Sequence, residues 1–182
     1  VGEGEAIITI TSKDDPTKKE TVKVTVKIPV ENVTADKEDI TLNKGDKDKI
    51  TVTVTPDDAT DKNVTYESSD ETVVKVDENG NIEAVGEGEA TITITSKDDP
   101  SKKETVKVTV KIPVEDVTAD KEDITLNKGD KDKITVTVTP DDATDKNVTY
   151  ESSDETVVKV DENGNIEAVG EGEAIITITS KD

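Results

Sequence analysis

The chain repeats itself every 84 residues, and this repeat limits its architecture more than any other feature. The segment VGEGEA recurs at Val1, Val85 and Val169. Sliding the sequence along itself by that period aligns nearly every residue with an identical one. The exceptions are Ile7/Thr91, Thr17/Ser101, Asn32/Asp116 and Thr91/Ile175. Such self-similarity indicates consecutive copies of one structural unit rather than a single large domain.

The phase of the repeat is set by two proline-containing segments, KIPVEN and KIPVED. Pro29 and Pro113 have no N–H for a central strand ladder, so we expect each to end a strand and stiffen the passage into the next module. We therefore predict that residues 1–30 are the last two strands of a preceding module, residues 31–114 a complete module, and residues 115–182 a second module lacking its final strand. The start at Val1, without an initiator Met, favours a processed product or a section of a longer array.

Apolar residues alternate strictly with polar ones, which predicts half-buried strands. Composition alone, with 37% charged and 30% hydrophobic residues, would suggest disorder. We predict a strand over DITLN, a turn over KGDKDK, and a strand over ITVTVTP with Ile50, Val52 and Val54 on one face. Asn79-Gly80 predicts a hairpin. In the last two strands the residues predicted to point inward are Ala90, Ile92 and Ile94, followed by Val106, Val108, Val110 and Ile112.

Seven such strands in each module predict an all-β fold of tandem immunoglobulin-like antiparallel β-sandwiches. Val64 and Tyr66 should share a face of the strand VTYESSD. Tyr66 and Tyr150 are the only aromatic residues of the chain, so we expect each to be a principal anchor of its module's core.

These segments resemble the bacterial immunoglobulin-like domains of group 2. The most specific matches are TVTPDDAT, VTYESSD, NGNIEAVGEGEATITIT and the closing VKVTV. Tyr66 and Tyr150 stand where that family commonly has a tryptophan. The resemblance implies tandem modules of bacterial, sometimes archaeal or phage, surface proteins such as adhesins, in which most copies are spacers and a separate tip domain binds the target. It supplies no catalytic residues.

Most site chemistry has no side chain available in this sequence. The chain contains no Cys, His, Met, Trp or Phe, and Ser68 and Ser69 have no His to activate them. We therefore predict that it is not an enzyme, and we assign no catalytic, cofactor-binding or metal-binding residue. The net charge of -21 repels nucleic acid and anionic lipid alike. No apolar run reaches the roughly 18 residues that cross a bilayer, so direct membrane insertion is not expected.

Clustered acidic residues raise one cofactor hypothesis, calcium, which accepts six to eight oxygen ligands. We favour the alternative that these residues serve turns, because Asp and Asn are common there and the spacing follows no dedicated calcium loop. The candidates are Asp57, Asp58 and Asp61; Asp77, Glu78 and Asn79; and, near the second proline segment, Glu115, Asp116 and Asp120.

The leading function hypothesis is a structural spacer or stalk repeat of a microbial cell-surface protein or extracellular filament. The expected partners are neighbouring copies of the same module. One alternative is a fibre subunit that associates head-to-tail through strand exchange, with residues 20–28 as the donated strand. Another is a carbohydrate- or protein-binding adhesion module that uses loops at one end of the sandwich. We expect an extracellular or cell-surface location and predict no external target.

Overall fold

The computed structural model describes residues 2–182; Val1, where the predicted first segment begins, lies outside this range. The chain divides into two compact units, Val1–Val110 and Lys111–Asp182. The described residues form strands, turns and loops. No helix in this part of the chain is long and apolar enough to cross a membrane. The predicted all-β fold is confirmed.

The first unit opens with a hairpin of two long strands, β1 (Gly4–Thr11) and β2 (Lys19–Val26). Nine further strands follow among its described residues, two more than the alternating pattern predicted. They are β3 (Asn32–Ala35), β4 (Asp39–Asn43), β5 (Lys47–Lys49), β6 (Val52–Thr55), β7 (Val64–Ser68), β8 (Val74–Val76), β9 (Asn81–Ala84), β10 (Gly88–Ser96) and β11 (Lys103–Lys111).

These nine strands build the two layers of a sandwich. One layer is a four-stranded sheet in the order β4-β11-β10-β7. The other contains the pair β3-β6 and the three-stranded sheet β5-β9-β8. β10 runs antiparallel to both of its neighbours, β11 and β7. The arrangement is that of an immunoglobulin-like module.

The core lies between the two layers and consists of Val and Ile side chains with a few alanines. Ile50, Ile82, Ile92 and Ile94 are its largest fully buried residues. Inward-facing residues of β10 and β11 complete it, as their alternation predicted. Tyr66 packs against this cluster, as predicted, but it is only partly buried, and the fully buried residues of the core are smaller.

Two local predictions also need correction. The segment KGDKDK is not all turn, because Lys47–Lys49 forms β5 and pairs with β9. The strand expected over ITVTVTP begins only at Val52, although Ile50 before it is buried. Its backbone N–H donates to the Gly80 carbonyl oxygen at 2.9 Å. The predicted hairpin at Asn79-Gly80 is confirmed by the antiparallel pairing of β8 with β9.

The second unit repeats much of this arrangement. Its described strands are β12 (Asp116–Ala119), β13 (Lys131–Lys133), β14 (Val136–Thr139), β15 (Val148–Ser152), β16 (Val158–Val160), β17 (Asn165–Ala168) and β18 (Ile176–Ser180). They pair as β12-β14, β13-β17-β16 and β15-β18. Ile134, Val157 and Ile166 are buried between them.

Candidate functional site

The two proline-containing linkers, residues 27–31 and 111–115, are the candidate functional site. β2 ends at Val26, just before the first linker, and β11 ends at Lys111, the first residue of the second linker. Proline contributes no N–H, so the first linker has only its remaining backbone groups with which to attach itself to the module that follows. Where those groups bond decides whether the linker is free or held.

The first linker is held by three separate parts of its module. Ile28 and Thr60 form a two-way bond. The Ile28 N–H donates to the threonine hydroxyl at 2.7 Å, and the Thr60 N–H donates to the Ile28 carbonyl oxygen at 2.9 Å. The Val30 N–H donates to Oδ2 of Asp98 at 3.0 Å. The Glu31 N–H donates to the Thr55 carbonyl oxygen at 2.8 Å. Val30 itself is buried in the core.

The second linker repeats these contacts within the second unit. The Ile112 N–H donates to the Thr144 hydroxyl at 2.7 Å, and the Thr144 N–H returns a bond of 2.8 Å to the Ile112 carbonyl. The Val114 N–H donates to Oδ2 of Asp182 at 2.9 Å. Since the same bonds occur in both units, they are a property of the repeated sequence.

The loop that receives the linker, residues 56–63, is ordered by its own hydrogen bonds. The ammonium group of Lys62 donates to the Asp57 carbonyl oxygen at 2.7 Å. Oδ1 of Asp61 accepts the backbone N–H of Asn63 at 2.9 Å and its side-chain amide at 2.6 Å. The backbone bond first, and the side-chain bond second, hold the pKa of Asp61 below its usual value. Ala59 is buried in the core, which fixes the loop against the sandwich.

One side chain just ahead of the hairpin β1-β2 reaches this loop. The Thr60 hydroxyl donates to Oε2 of Glu3 at 2.6 Å. Glu3 lies just before β1, and β1 and β2 form the hairpin that leads into the first linker. Thr60 therefore contacts both the linker and the hairpin that precedes it.

Neither Thr60 nor Asp98 was singled out by sequence reasoning. Thr60 bonds a residue 32 positions away, and Asp98 bonds one 68 positions away. The one available signal was the exact recurrence of PDDATDKN, SKD and KIPV with the period of the repeat. That recurrence does not reveal which residues meet.

The acidic residues considered for calcium are placed mainly in turns and at strand ends. In the first group, Asp61 bonds its own loop as described above. In the second, Oδ1 of Asp77 accepts the N–H groups of Asn79 and Asn81 at 2.8 and 2.9 Å, and Oδ2 accepts the Asn81 side-chain amide at 2.7 Å.

The third group is spread along the start of the second unit. Oδ1 of Asp120 accepts the Thr135 N–H at 2.8 Å, whereas Oδ1 of Asp116 accepts the Val117 N–H at 2.9 Å. Within residues 2–182, no three acidic side chains converge in a way that would hold a metal ion. Calcium binding stays a hypothesis, to which this geometry adds no support.

An open groove is lined by residues of the sheet β5-β9-β8. Its lining includes Lys47, Lys49, Lys75 and Glu83, and the equivalent groove of the second unit has the same residue types. Nζ of Lys47 lies 3.6 Å from a carboxylate oxygen of Glu83. These are exposed, mutually neutralising groups, and no aromatic ring is among the lining residues.

Comparison with known protein families finds one family model that matches the chain twice. The model of the bacterial Ig-like domain (group 2) matches residues 29–111 and again residues 113–182. The chain belongs to this family. The predicted resemblance is thereby confirmed, and the bacterial Ig-like modules of this family are non-catalytic.

Three relatives illustrate where such Ig-like modules occur. An uncharacterized protein of Clostridium acetobutylicum is 35% identical over 150 residues, which are 82% of this chain and 16% of the relative. An alpha-L-arabinofuranosidase of Bifidobacterium longum is 53% identical over 58 residues, which are 32% of this chain and 5% of the relative. An Ig-like virion protein of Serratia phage KSP90 is 34% identical over 155 residues, which are 82% of this chain and 60% of the relative. The chain thus spans a minor part of the first two relatives, and modules of this kind accompany both structural and enzymatic proteins.

Proposed function

We propose that these Ig-like modules are a spacer, a stalk repeat that sets a distance in a microbial cell-surface protein or extracellular filament, and that the chain itself catalyses no reaction. The observation that carries this proposal is the bonded linker. In each unit a two-way bond between an isoleucine and a threonine, and a bond from a valine N–H to an aspartate, attach the linker to the module that follows. A linker whose backbone is bonded in this way resists bending.

Charge supports the same proposal. The net charge of -21 makes neighbouring modules repel each other, which favours separation over collapse. An extracellular or surface location is consistent with the virion protein among the relatives, whose name describes it as part of a phage particle. The arabinofuranosidase shows that such a module also accompanies a catalytic protein, where a spacer remains useful.

Small-angle X-ray scattering of the 182-residue chain tests the proposal. At about 3.3 Å per strand residue, the nine-residue strands β10 and β11 are about 30 Å long, so a module of this kind should add at least about that length to the particle. We expect a distance distribution with the long tail of an extended particle, at low and high salt alike. A symmetrical distribution, typical of a compact pair of domains, would overturn the proposal. Extension only at low salt would show that repulsion, not the linker, separates the modules.

A second candidate, strand exchange between copies, is favoured by one observation. The apolar side chains of the hairpin β1-β2 are exposed, whereas the identical residues of β10 and β11 are buried. The exposed residues are Ile8, Ile10, Val22, Val24 and Val26. In strand exchange, a second copy of the chain covers this face with strands equivalent to β3-β6 and β5-β9-β8, the layer that covers β10 and β11 in the first unit. Sedimentation of the chain over a wide concentration range separates the candidates, because exchange predicts growing head-to-tail oligomers and a simple spacer predicts a monomer.

A further inference from the structure

We propose that the loop at residues 56–63 is the surface on which a module receives the module before it, and that Thr60 recognises a carboxylate on that neighbour. The proposal rests on the spacer function and adds which part of a module contacts the module before it. The partner is another module of the same chain, entering through the start of its penultimate strand. Its recognised group is the carboxylate of Glu3.

The hydrogen bonds around Thr60 determine which partner its hydroxyl hydrogen is donated to. A threonine hydroxyl has one hydrogen to donate and lone pairs that accept. Its oxygen accepts the Ile28 N–H at 2.7 Å, so its hydrogen is free for Glu3, whose Oε2 lies 2.6 Å away. The Thr60 N–H is used as well, on the Ile28 carbonyl. Thr60 thus makes three hydrogen bonds with two groups: its N–H and its hydroxyl oxygen bond the linker, and its hydroxyl hydrogen bonds Glu3.

The surface that carries Thr60 is ordered by contacts that do not involve the neighbour. Lys62 bonds the Asp57 carbonyl, the Ala59 N–H donates to the Pro56 carbonyl oxygen at 3.0 Å, and Asp61 bonds Asn63. Ala59 is buried in the core of the same module. Because the loop is already fixed, little conformational entropy is lost when a neighbour meets it.

The chemistry of the contact explains why the neighbour carries an acid. A hydroxyl bonds an ionised carboxylate more strongly than a neutral acceptor. The sequence places a glutamate at the corresponding position of every VGEGEA segment, at Glu3, Glu87 and Glu171. The threonine is repeated as well, and within the second unit the Thr144 hydroxyl accepts the Ile112 N–H as the Thr60 hydroxyl accepts that of Ile28.

Pulsed electron paramagnetic resonance of the full chain tests the proposal. The chain has no cysteine, so two introduced cysteines carry the only spin labels. Thr9 on β1 and Lys75 on β8 are both exposed, and the distance between labels there reports the orientation of the hairpin relative to the module. We expect a narrow distribution that broadens at least twofold in Thr60→Val and in Glu3→Gln. The double variant should be no broader than Thr60→Val, because both changes remove one interaction.

Matched controls separate this contact from general effects of the substitutions. Thr91→Val makes the same chemical change at an exposed position of β10. Glu5→Gln removes the same charge from the hairpin, where Glu5 pairs with Lys23 at 2.7 Å. Both should keep the wild-type distribution. A second label pair within the hairpin, at Thr9 and Thr25, must keep its distance in every variant, which verifies that the hairpin is folded.

An unchanged distribution in Thr60→Val, or equal broadening in Thr91→Val, would overturn the proposed recognition. Additive broadening in the double variant would show that Glu3 and Thr60 act separately, which also contradicts it. The spacer function fails on a different result, a compact particle in scattering. An extended particle with an insensitive Thr60 would leave the spacer and remove this recognition contact.

Discussion

The phenol of Tyr66 packs against Gly80, so that a methyl group on that glycine would lie 3.0 Å from the tyrosine oxygen and 2.6 Å from the carbonyl oxygen of Ile50. Gly80 also has a φ of 78°, a backbone conformation that residues other than glycine rarely adopt. The same contacts recur at Gly164 with Tyr150. The Asn-Gly hairpin therefore needs its glycine for backbone conformation and for packing.

We predict that Gly80→Ala destabilises the first unit more than Gly45→Ala does. Gly45 also has a positive φ, of 93°, but nothing lies within 4 Å of an added methyl group. Gly45→Ala should lower the free energy of unfolding by about 1 to 2 kcal/mol, and Gly80→Ala by roughly 2 kcal/mol more, because overpacking adds to the strain. In a Tyr150→Phe background, urea unfolding followed by tyrosine fluorescence reports the first unit alone. Equal losses for the two variants would contradict the packing argument.

The hairpins β1-β2 and β10-β11 allow burial to be tested with the sequence held almost constant. Val24 and Val108 occupy the same position of the repeat, yet Val24 is 38% exposed and Val108 fully buried. We predict that Val108→Ala lowers the free energy of unfolding of the first unit by about 2 kcal/mol, from lost transfer energy and a cavity. Val24→Ala should lower it by less than about 1 kcal/mol. Similar values for the two would mean that another surface covers β2 in solution, as strand exchange requires.

Alternation in the sequence was sufficient to predict much of the sandwich. Because successive strand residues face opposite sides, the pattern in residues 88–111 identified Ala90, Ile92 and Ile94 as core residues, and the structure buries them. The hairpin at Asn79-Gly80 was equally predictable, since its turn is local. These features depend on neighbours in sequence, which the pattern contains.

Features that depend on distant partners could not be predicted. The segment DITLN forms β4 at Asp39–Asn43, beside β11, but among the described residues of the second unit the same segment at 123–127 forms no strand. Identical sequence thus gives different local structure when its neighbours differ. The short strand β5 was missed for the same reason, because Lys-Asp-Lys becomes a strand only by pairing with β9.

The candidate site was the least predictable part. The prolines marked the linkers, but the bonds that hold them come from Thr60 and Asp98, which lie in other segments of the chain. The sequence does not distinguish a threonine or an aspartate that bonds its own loop from one that bonds a linker. Only the fold brings Thr60 to Ile28 and Asp98 to Val30.

The turn at Asp77 should make stability depend on pH in acid. Bonds from Asn81, first from its side chain and then from its backbone, hold the pKa of Asp77 below its ordinary value. A carboxyl group whose pKa is lowered in the folded state stabilises that state at pH values above its pKa in the unfolded chain, near 4. This contribution is lost as pH falls through the folded pKa. We predict that wild type is more stable than Asp77→Asn at neutral pH and that the difference narrows below about pH 4.

Urea unfolding at a series of pH values measures this difference. Glu78→Gln is the matched control, since it removes one charge from the same turn and leaves the Asp77 bonds in place. The difference in the free energy of unfolding between wild type and Glu78→Gln should not narrow in acid as the difference for Asp77→Asn does. A gap for Asp77→Asn that stays constant from neutral pH down to about pH 2 would refute the assignment.

The opposite end of the pH scale tests the environment of Tyr66. Partial burial, followed by the charges of Asp77 and Asp36, raises the pKa of its phenol above 10.0. In a Tyr150→Phe chain, Tyr66 is the only phenol, so phenolate absorbance reports it alone. We predict a titration midpoint in native buffer above that in concentrated urea, and a lower midpoint after Asp36→Asn, which removes one of the two charges. Because the folded state holds the proton more tightly, its stability should be intact below about pH 10 and fall as pH rises through the native midpoint. Coincident native and denatured midpoints would mean that the ring is solvated, and the packing of Tyr66 beside Gly80 would then be wrong.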